Sequence, residues 1–290
     1  FAKKVIDSPA EKLLKTGYAA YDNINGGFPT SGVVLLGSTT SGGKSVLSMN
    51  LGRRMCLANS GLHGNKITLE MTAEQEMNRT LSMLSGIELS KIKKRQLNKA
   101  EKKSLIKAAQ KMQDDLEAVG SSYGYLSPDQ GMTVEDVLWM ATAYGTQLNI
   151  IDYVGLLEDA AGADQWKSLS EIVRKCKIHS TNTGYLYVIL VQLDSETGKI
   201  RYSKGMLEHA DVAVFWNYSD PEVRATRMLP MNTAKARDGE LFDWELEERF
   251  EIMSIADVGE LEDPDGSESL KKNKGLGRSL DDSDPVIGEE

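Results

Sequence analysis

The sequence predicts an α/β fold, a mostly parallel twisted sheet with helices on both faces. Three observations predict it. Short apolar runs of strand length alternate with longer segments of helical spacing. The run Val33-Val34-Leu35-Leu36 leads straight into a loop of Gly, Ser and Thr and then into a helix-patterned segment. Asp152 and Gln192 each close an apolar run, at the strand end that faces the ligand crevice of an open α/β sheet.

Taken in order, residues 1–16 read as a short helix or linker, and Gly26, Gly27 and Pro29 mark a turn before the first core strand. Val33–Leu36 suits a buried parallel strand. Lys44–Leu57 places Val46, Leu47, Leu51 and Met55 on one side of a helix. Ile67–Leu69 reads as a second strand and Ala73–Leu84 as a helix. Residues 88–119, rich in Lys and Ala, read as helices with a solvated basic face. Thr133 is a good N-cap for a helix to Tyr144, with Asp136 at the capping-box position. Leu148–Ile151, Leu186–Val191 and Val212–Trp216 are further strands, Ser168–Asn182 is a helix, and Thr226–Met231 and Trp244–Leu246 add strands near the end. The predicted organisation is a linker over residues 1–15, one α/β domain over 16–256 and an acidic flexible tail over 257–290.

Composition narrows the function classes. No run of about 18 apolar residues exists, which argues against a membrane span. Two cysteines, Cys56 and Cys176, make no disulfide framework and fit a reducing cytoplasm, and three scattered histidines give no zinc spacing. No signal peptide is visible, and a chain opening on Phe1 reads as a piece of a longer polypeptide. The net charge is −9, but the tail from Asp257 carries 11 acidic and 4 basic residues and so holds most of it. An acidic total therefore does not exclude a nucleic-acid partner, since a local basic patch still binds phosphate.

The chemistry concentrates at Gly37-Ser38-Thr39-Thr40-Ser41-Gly42-Gly43-Lys44-Ser45. Small residues between a strand and a helix let backbone N–H groups curl around phosphates, and the helix N-terminus adds positive partial charge. In this reading Ser38, Thr39, Thr40, Ser41, Gly42 and Gly43 cradle a nucleoside triphosphate, Lys44 reaches its β and γ phosphates, and the Ser45 hydroxyl binds Mg²⁺. The strict loop pattern starts on Gly, where this chain has Ser38 preceded by Gly37. Asp152 is placed to hold Mg²⁺ through water, Glu70 to polarise the attacking water, and Gln192 to sense the γ-phosphate.

These motifs fall in a recognisable order: Thr16-Gly17, Asp22, Gly26-Gly27, the phosphate loop, Leu69-Glu70-Met71, Ile151-Asp152-Tyr153, Gln192-Leu193 and Ala234-Lys235-Ala236-Arg237-Asp238-Gly239. The chain from Thr16 to Ile255 resembles the C-terminal ATPase domain of DnaB-type replicative helicases, bacterial or phage, in the RecA-like class of P-loop NTPases. Leu89 to Ala118, followed by Gly131-Met132-Thr133-Val134, is similar to the family's helical insert and the strand and helix after it.

The resemblance implies ATP hydrolysis with Mg²⁺, Glu70 as catalytic base and Gln192 coupling nucleotide to DNA loops. It implies Arg237 as an arginine finger, with Lys235 as its companion, both offered to the neighbouring subunit's ATP in a homo-oligomer, a hexameric ring. Read alone, Lys235 and Arg237 also suit a turn beside Asp238-Gly239. Contact with single-stranded DNA is implied at Lys199, Arg201, Lys204 and Gly205, although Arg201-Tyr202-Ser203-Lys204 departs from the family's Arg-Glu-Ser-Gly-like stretch. Translocation 5′ to 3′ and contact with primase, helicase loader or polymerase complete the expectation. A second reading is a RecA- or RadA-like recombination or regulatory ATPase that does not unwind.

Overall fold

The computed structural model describes residues 12–128, 131–161, 165–194 and 204–261. Its strands are β1 (Leu13–Leu14), β2 (Phe28–Pro29), β3 (Gly32–Ser38), β4 (His63–Thr68), β5 (Ser122–Leu126), β6 (Leu148–Asp152), β7 (Leu186–Gln192), β8 (Val212–Trp216), β9 (Met228–Ala236), β10 (Asp243–Arg249) and β11 (Ser254–Ala256). Its helices are α1 (Ala19–Asn25), α2 (Lys44–Ala58), α3 (Ala73–Ser85), α4 (Leu89–Lys94), α5 (Lys99–Ala118), α6 (Val134–Tyr144), α7 (Gln165–Thr183), α8 (Lys204–His209) and α9 (Pro221–Ala225).

Nine strands form the main sheet in the order β11-β10-β9-β8-β3-β7-β6-β4-β5. The strands from β8 to β5 are parallel, and β9, β10 and β11 extend the sheet antiparallel. This is the expected α/β architecture, with an antiparallel edge that the apolar runs did not specify. β3 lies between β7 and β8, and all seven of its residues are buried.

Alternation along β3 builds two cores. Val34 and Leu36 pack into one cluster with Leu47, Leu51 and Met55 of α2. Val33 and Leu35 pack into the other with Val137 and Ala141 of α6 and Ile172, Val173 and Cys176 of α7. A parallel strand covered on both faces must be apolar on both, which is why β3 and β7 read as continuous hydrophobic runs. Both cysteines are buried and free, and burial pushes the Cys56 thiol up to about 12.

Local signals set the helix boundaries. Thr133 caps α6 as a capping box with Asp136: the Asp136 amide donates to Thr133 Oγ1 at 3.3 Å, and the Thr133 amide to Asp136 Oδ2 at 2.9 Å. Each such cap contributes about 1 kcal/mol. The region 88–119 splits into α4 and α5, and Lys99, Lys102, Lys103 and Lys107 stand exposed, the solvated basic face expected.

The N-terminal reading needs correction. Leu13–Leu14 pairs antiparallel with Phe28–Pro29, and the turn region between them holds α1. Asp22 fixes the start of that helix, since its carboxylate accepts from the Thr16 amide and hydroxyl and from the Gly17 amide. A two-residue strand is too short to leave a period in the sequence. No helix among the described residues is long and apolar enough to cross a membrane.

Candidate nucleotide site

β3 ends at Ser38 and α2 begins at Lys44, so the loop sits at the carboxyl end of the central strand. The first amides of a helix have no acceptor within it, and here they belong to Lys44, Ser45 and Val46, which line the cleft in front of the loop. Gly43, with φ +80, sits as N-cap against the Phe250 ring, which a Cβ at that position would strike. The Trp216 indole N–H donates to the Gly42 carbonyl at 2.6 Å and pins the loop to β8.

Lys44 Nζ donates to the Ser38 and Thr39 carbonyls at 2.9 and 3.1 Å. Burial lowers its pKa, and the Asp152 and Glu70 carboxylates oppose that shift. The ammonium therefore stands ready beside the loop with neutral acceptors that an anion can displace.

The cleft in front of the loop encloses about 520 Å³ and is lined by Thr40 to Val46, Glu70, Arg79, Asp152, Tyr153, Gln192, Phe250 and Met253. Glu70 follows β4 in an exposed bend. Asp152 is the last residue of β6, buried, with Oδ2 at 2.8 Å from Lys66 Nζ. Gln192 ends β7, pairs in register with Ser38, and donates from Nε2 to Thr40 Oγ1 at 2.7 Å. Adjacent parallel strands thus bring residues far apart in sequence to one edge of the sheet. Ser38 and Thr39 lie underneath: their side chains are buried and outside the cleft, and only their carbonyls meet Lys44.

Three cleft residues, Arg79, Phe250 and Met253, went unread in the sequence, and Tyr153 was named there only within its motif. Arg79, from α3, has Nε and Nη1 buried without a hydrogen-bond partner. Tyr153 follows Asp152, and Phe250 and Met253 come from the turn between β10 and β11.

Arg237 and Lys235 are not in this cleft. They lie at the end of β9, where Arg237 Nε is 3.3 Å from Asp211 Oδ1 and Lys235 Nζ donates to the Leu207 carbonyl at 2.5 Å. Burial lowers the Lys235 pKa, and Arg237 nearby adds to that. Asp238 and Gly239 stand in the longer connection between β9 and β10 without the positive φ of a tight Asp-Gly hairpin, and Lys235 lies within β9 rather than in a turn. Lys199 and Arg201 lie outside the described residues, while Lys204 and Gly205 open α8.

Among the described residues no three His, Cys, Asp or Glu side chains form a metal cluster. Ser45 and the Asp152 carboxylate at the cleft suit a cation that arrives on a phosphate chain and keeps most of its water, as Mg²⁺ does.

Comparison with known proteins bears on the family and the fold. The family model described as "DnaB-like helicase C terminal domain" matches residues 14–253. "Replicative DNA helicase DnaB" of Treponema pallidum (strain Nichols) is 25% identical over 246 residues, covering 81% of this chain and 53% of that protein. The protein of the same name from Pasteurella multocida (strain Pm70) is 26% identical over 199 residues, covering 62% and 39%. The chain thus spans about half or less of the curated relatives it matches. One solved structure, of an isolated ATPase domain, superposes with a TM-score of 0.75 at 20% identity, covering 89% of this chain and 96% of that one. A DnaB-like replicative helicase solved in a study of its interactions with primase gives 0.75 at 19%, covering 88% and 66%. With a model match across most of its length and the same fold, the chain belongs to the DnaB-like helicase C-terminal domain family.

Proposed function

We propose that this chain is the ATP-hydrolysing motor domain of a replicative DNA helicase, working in a ring of like subunits on single-stranded DNA. The observation that carries the reading is the gathering of Lys44, Ser45, Glu70, Asp152 and Gln192 around one cleft, while Arg237 stands elsewhere on the chain. A phosphate-loop site uses cations around the γ-phosphate and a group that positions the water, and an arginine finger in cis or in trans stabilises the transition-state charge. The cleft supplies the first two, and Arg237 suits a neighbour's cleft.

In this account the loop amides and Lys44 hold the phosphate chain, with Arg79 as a further cation. Glu70 orients a water and takes its proton as the oxygen bonds to the γ-phosphorus and the bond to the β-γ bridging oxygen breaks. Bound Mg²⁺ would neutralise charge on the β and γ oxygens, held by Ser45 directly and by Asp152 through water. Arg237 of the next subunit stabilises the charge that develops in the transition state, with Lys235 beside it. Gln192, hydrogen-bonded to Thr40, links the nucleotide to the segment that follows β7. That segment, with Lys199, Arg201, Lys204 and Gly205, contacts DNA phosphates without reading sequence.

Residues ahead of Leu13 serve as a linker, 13–256 as the motor domain, since Leu13–Leu14 pairs with Phe28–Pro29, and the acidic 257–290 as a tail that contacts a primase, loader or polymerase. Travel is 5′ to 3′. The test is ATP turnover with and without single-stranded DNA, beside unwinding of a forked duplex with a 5′ arm. DNA-stimulated turnover with unwinding is expected. Turnover with strand exchange and no unwinding would instead favour a recombination ATPase.

A further inference from the structure

Lys66 lies wholly buried in β4, a charged residue inside a strand that faces the core. Its Nζ stands 2.8 Å from Asp152 Oδ2 and 2.9 Å from Glu76 Oε1, and donates to the Ser45 carbonyl at 3.1 Å. An ammonium has three N–H donors, and these three acceptors use them all. They come from the end of β6, from α3 and from the first turn of α2. One buried cation therefore ties together the strand end and the helix that frame the phosphate loop.

We propose that Lys66 is a positioning residue that holds Asp152 by one oxygen and sets how tightly the cleft takes a divalent cation with its nucleotide. The inference rests on reading the cleft as an Mg²⁺-nucleotide site. With Oδ2 committed to Lys66, Asp152 has one oxygen left for the metal's water shell, which keeps it an outer partner of the ion. A buried ammonium in contact with a carboxylate also competes electrostatically with a divalent cation for that carboxylate. Glu76 moderates the competition, because it shares the ammonium with Asp152. Glu76 is itself fully buried and its Oε2 has no hydrogen-bond partner. An ion pair with an orphaned oxygen is a poor device for stability alone, since an apolar pair of similar volume commonly holds a fold as well.

The two partners therefore pull cation affinity in opposite directions, which a merely structural pair would not do. The test uses the full chain, a fluorescent ADP analogue and a titration with MgCl₂, with thermal melts to report folding. Glu76→Gln leaves Lys66 to Asp152 alone and should raise the half-saturating Mg²⁺ on the order of fivefold. Lys66→Met with Glu76→Gln frees Asp152 and should lower it below wild type by a similar factor. Half-saturation within about twofold of wild type in both folded variants overturns the inference. If the double variant does not fold, the isosteric Glu76→Gln decides alone, and an unchanged or lower value overturns it. Wild type that binds no nucleotide at any Mg²⁺ concentration sinks the nucleotide-site reading and this inference with it. Wild type that binds, beside variants that do not separate, sinks the inference only.

Discussion

Arg237 Nε lies 3.3 Å from Asp211 Oδ1, yet the two residues have unequal stakes in that contact. Arg237 is half exposed, whereas Asp211 is buried and also accepts from the Val33 amide at 2.9 Å and from Lys177 Nζ at 2.7 Å. An ion pair with one partner in water contributes little, so Arg237→Ala should change unfolding free energy by less than about 0.5 kcal/mol. Asp211→Asn weakens the buried partners and should cost about 2 kcal/mol in urea unfolding. The arginine is thus free to leave its contact without loss to the fold.

Ser38 and Gly42 are mutually dependent. The buried Ser38 hydroxyl fills the space where a Gly42 side chain would go. Gly42→Ala should displace the loop and weaken nucleotide binding about tenfold or more, and adding Ser38→Gly should recover much of the loss. Binding of a fluorescent nucleotide to the two singles and the double measures the coupling, and additive effects would contradict it.

Glu70 is exposed at the cleft and supports nothing in the core. Glu70→Gln should leave the melt and the nucleotide affinity close to wild type while turnover falls about a thousandfold or more. A parallel fall in affinity would mean that Glu70 binds rather than catalyses.

His179 gives an acid limit to stability. Burial lowers its pKa below the ordinary 6.5, and its ring meets the Tyr187 hydroxyl at 2.8 Å and Thr142 Oγ1 at 3.1 Å. The unfolded chain then takes up the proton more readily than the folded one. The stabilisation from neutral His179 is complete above the unfolded pKa and is lost as pH falls below 6.5 towards the folded value. Urea unfolding at neutral and mildly acidic pH should show the loss, and His179→Gln should reduce it.

Much of the site was legible because its positions follow from strand ends. Val33–Leu36 is apolar on both faces, so it had to be a central strand, and the loop after it had to open at the sheet's edge. Asp152 and Gln192 follow the same rule. Arg79 and Phe250 were not legible, since each enters the cleft from an element whose packing angle no local pattern encodes. Lys66 was hidden differently. A lysine breaks the apolar pattern of a strand, and only the meeting of β4, β6 and α3 supplies the two carboxylates that make it tolerable. The antiparallel edge was missed because β9 and β10 alternate buried and exposed residues whichever way they run.

The proposed active site combines Lys44 of one subunit with Arg237 of the next. Lys44→Ala and Arg237→Ala variants should each be nearly inactive in DNA-stimulated ATP turnover. Mixed in equal amounts before assembly, they create interfaces where an intact Lys44 faces an intact Arg237, and turnover should reappear well above the sum of the two alone. Variants that assemble together yet give a mixture no more active than its parts would contradict a site shared between subunits.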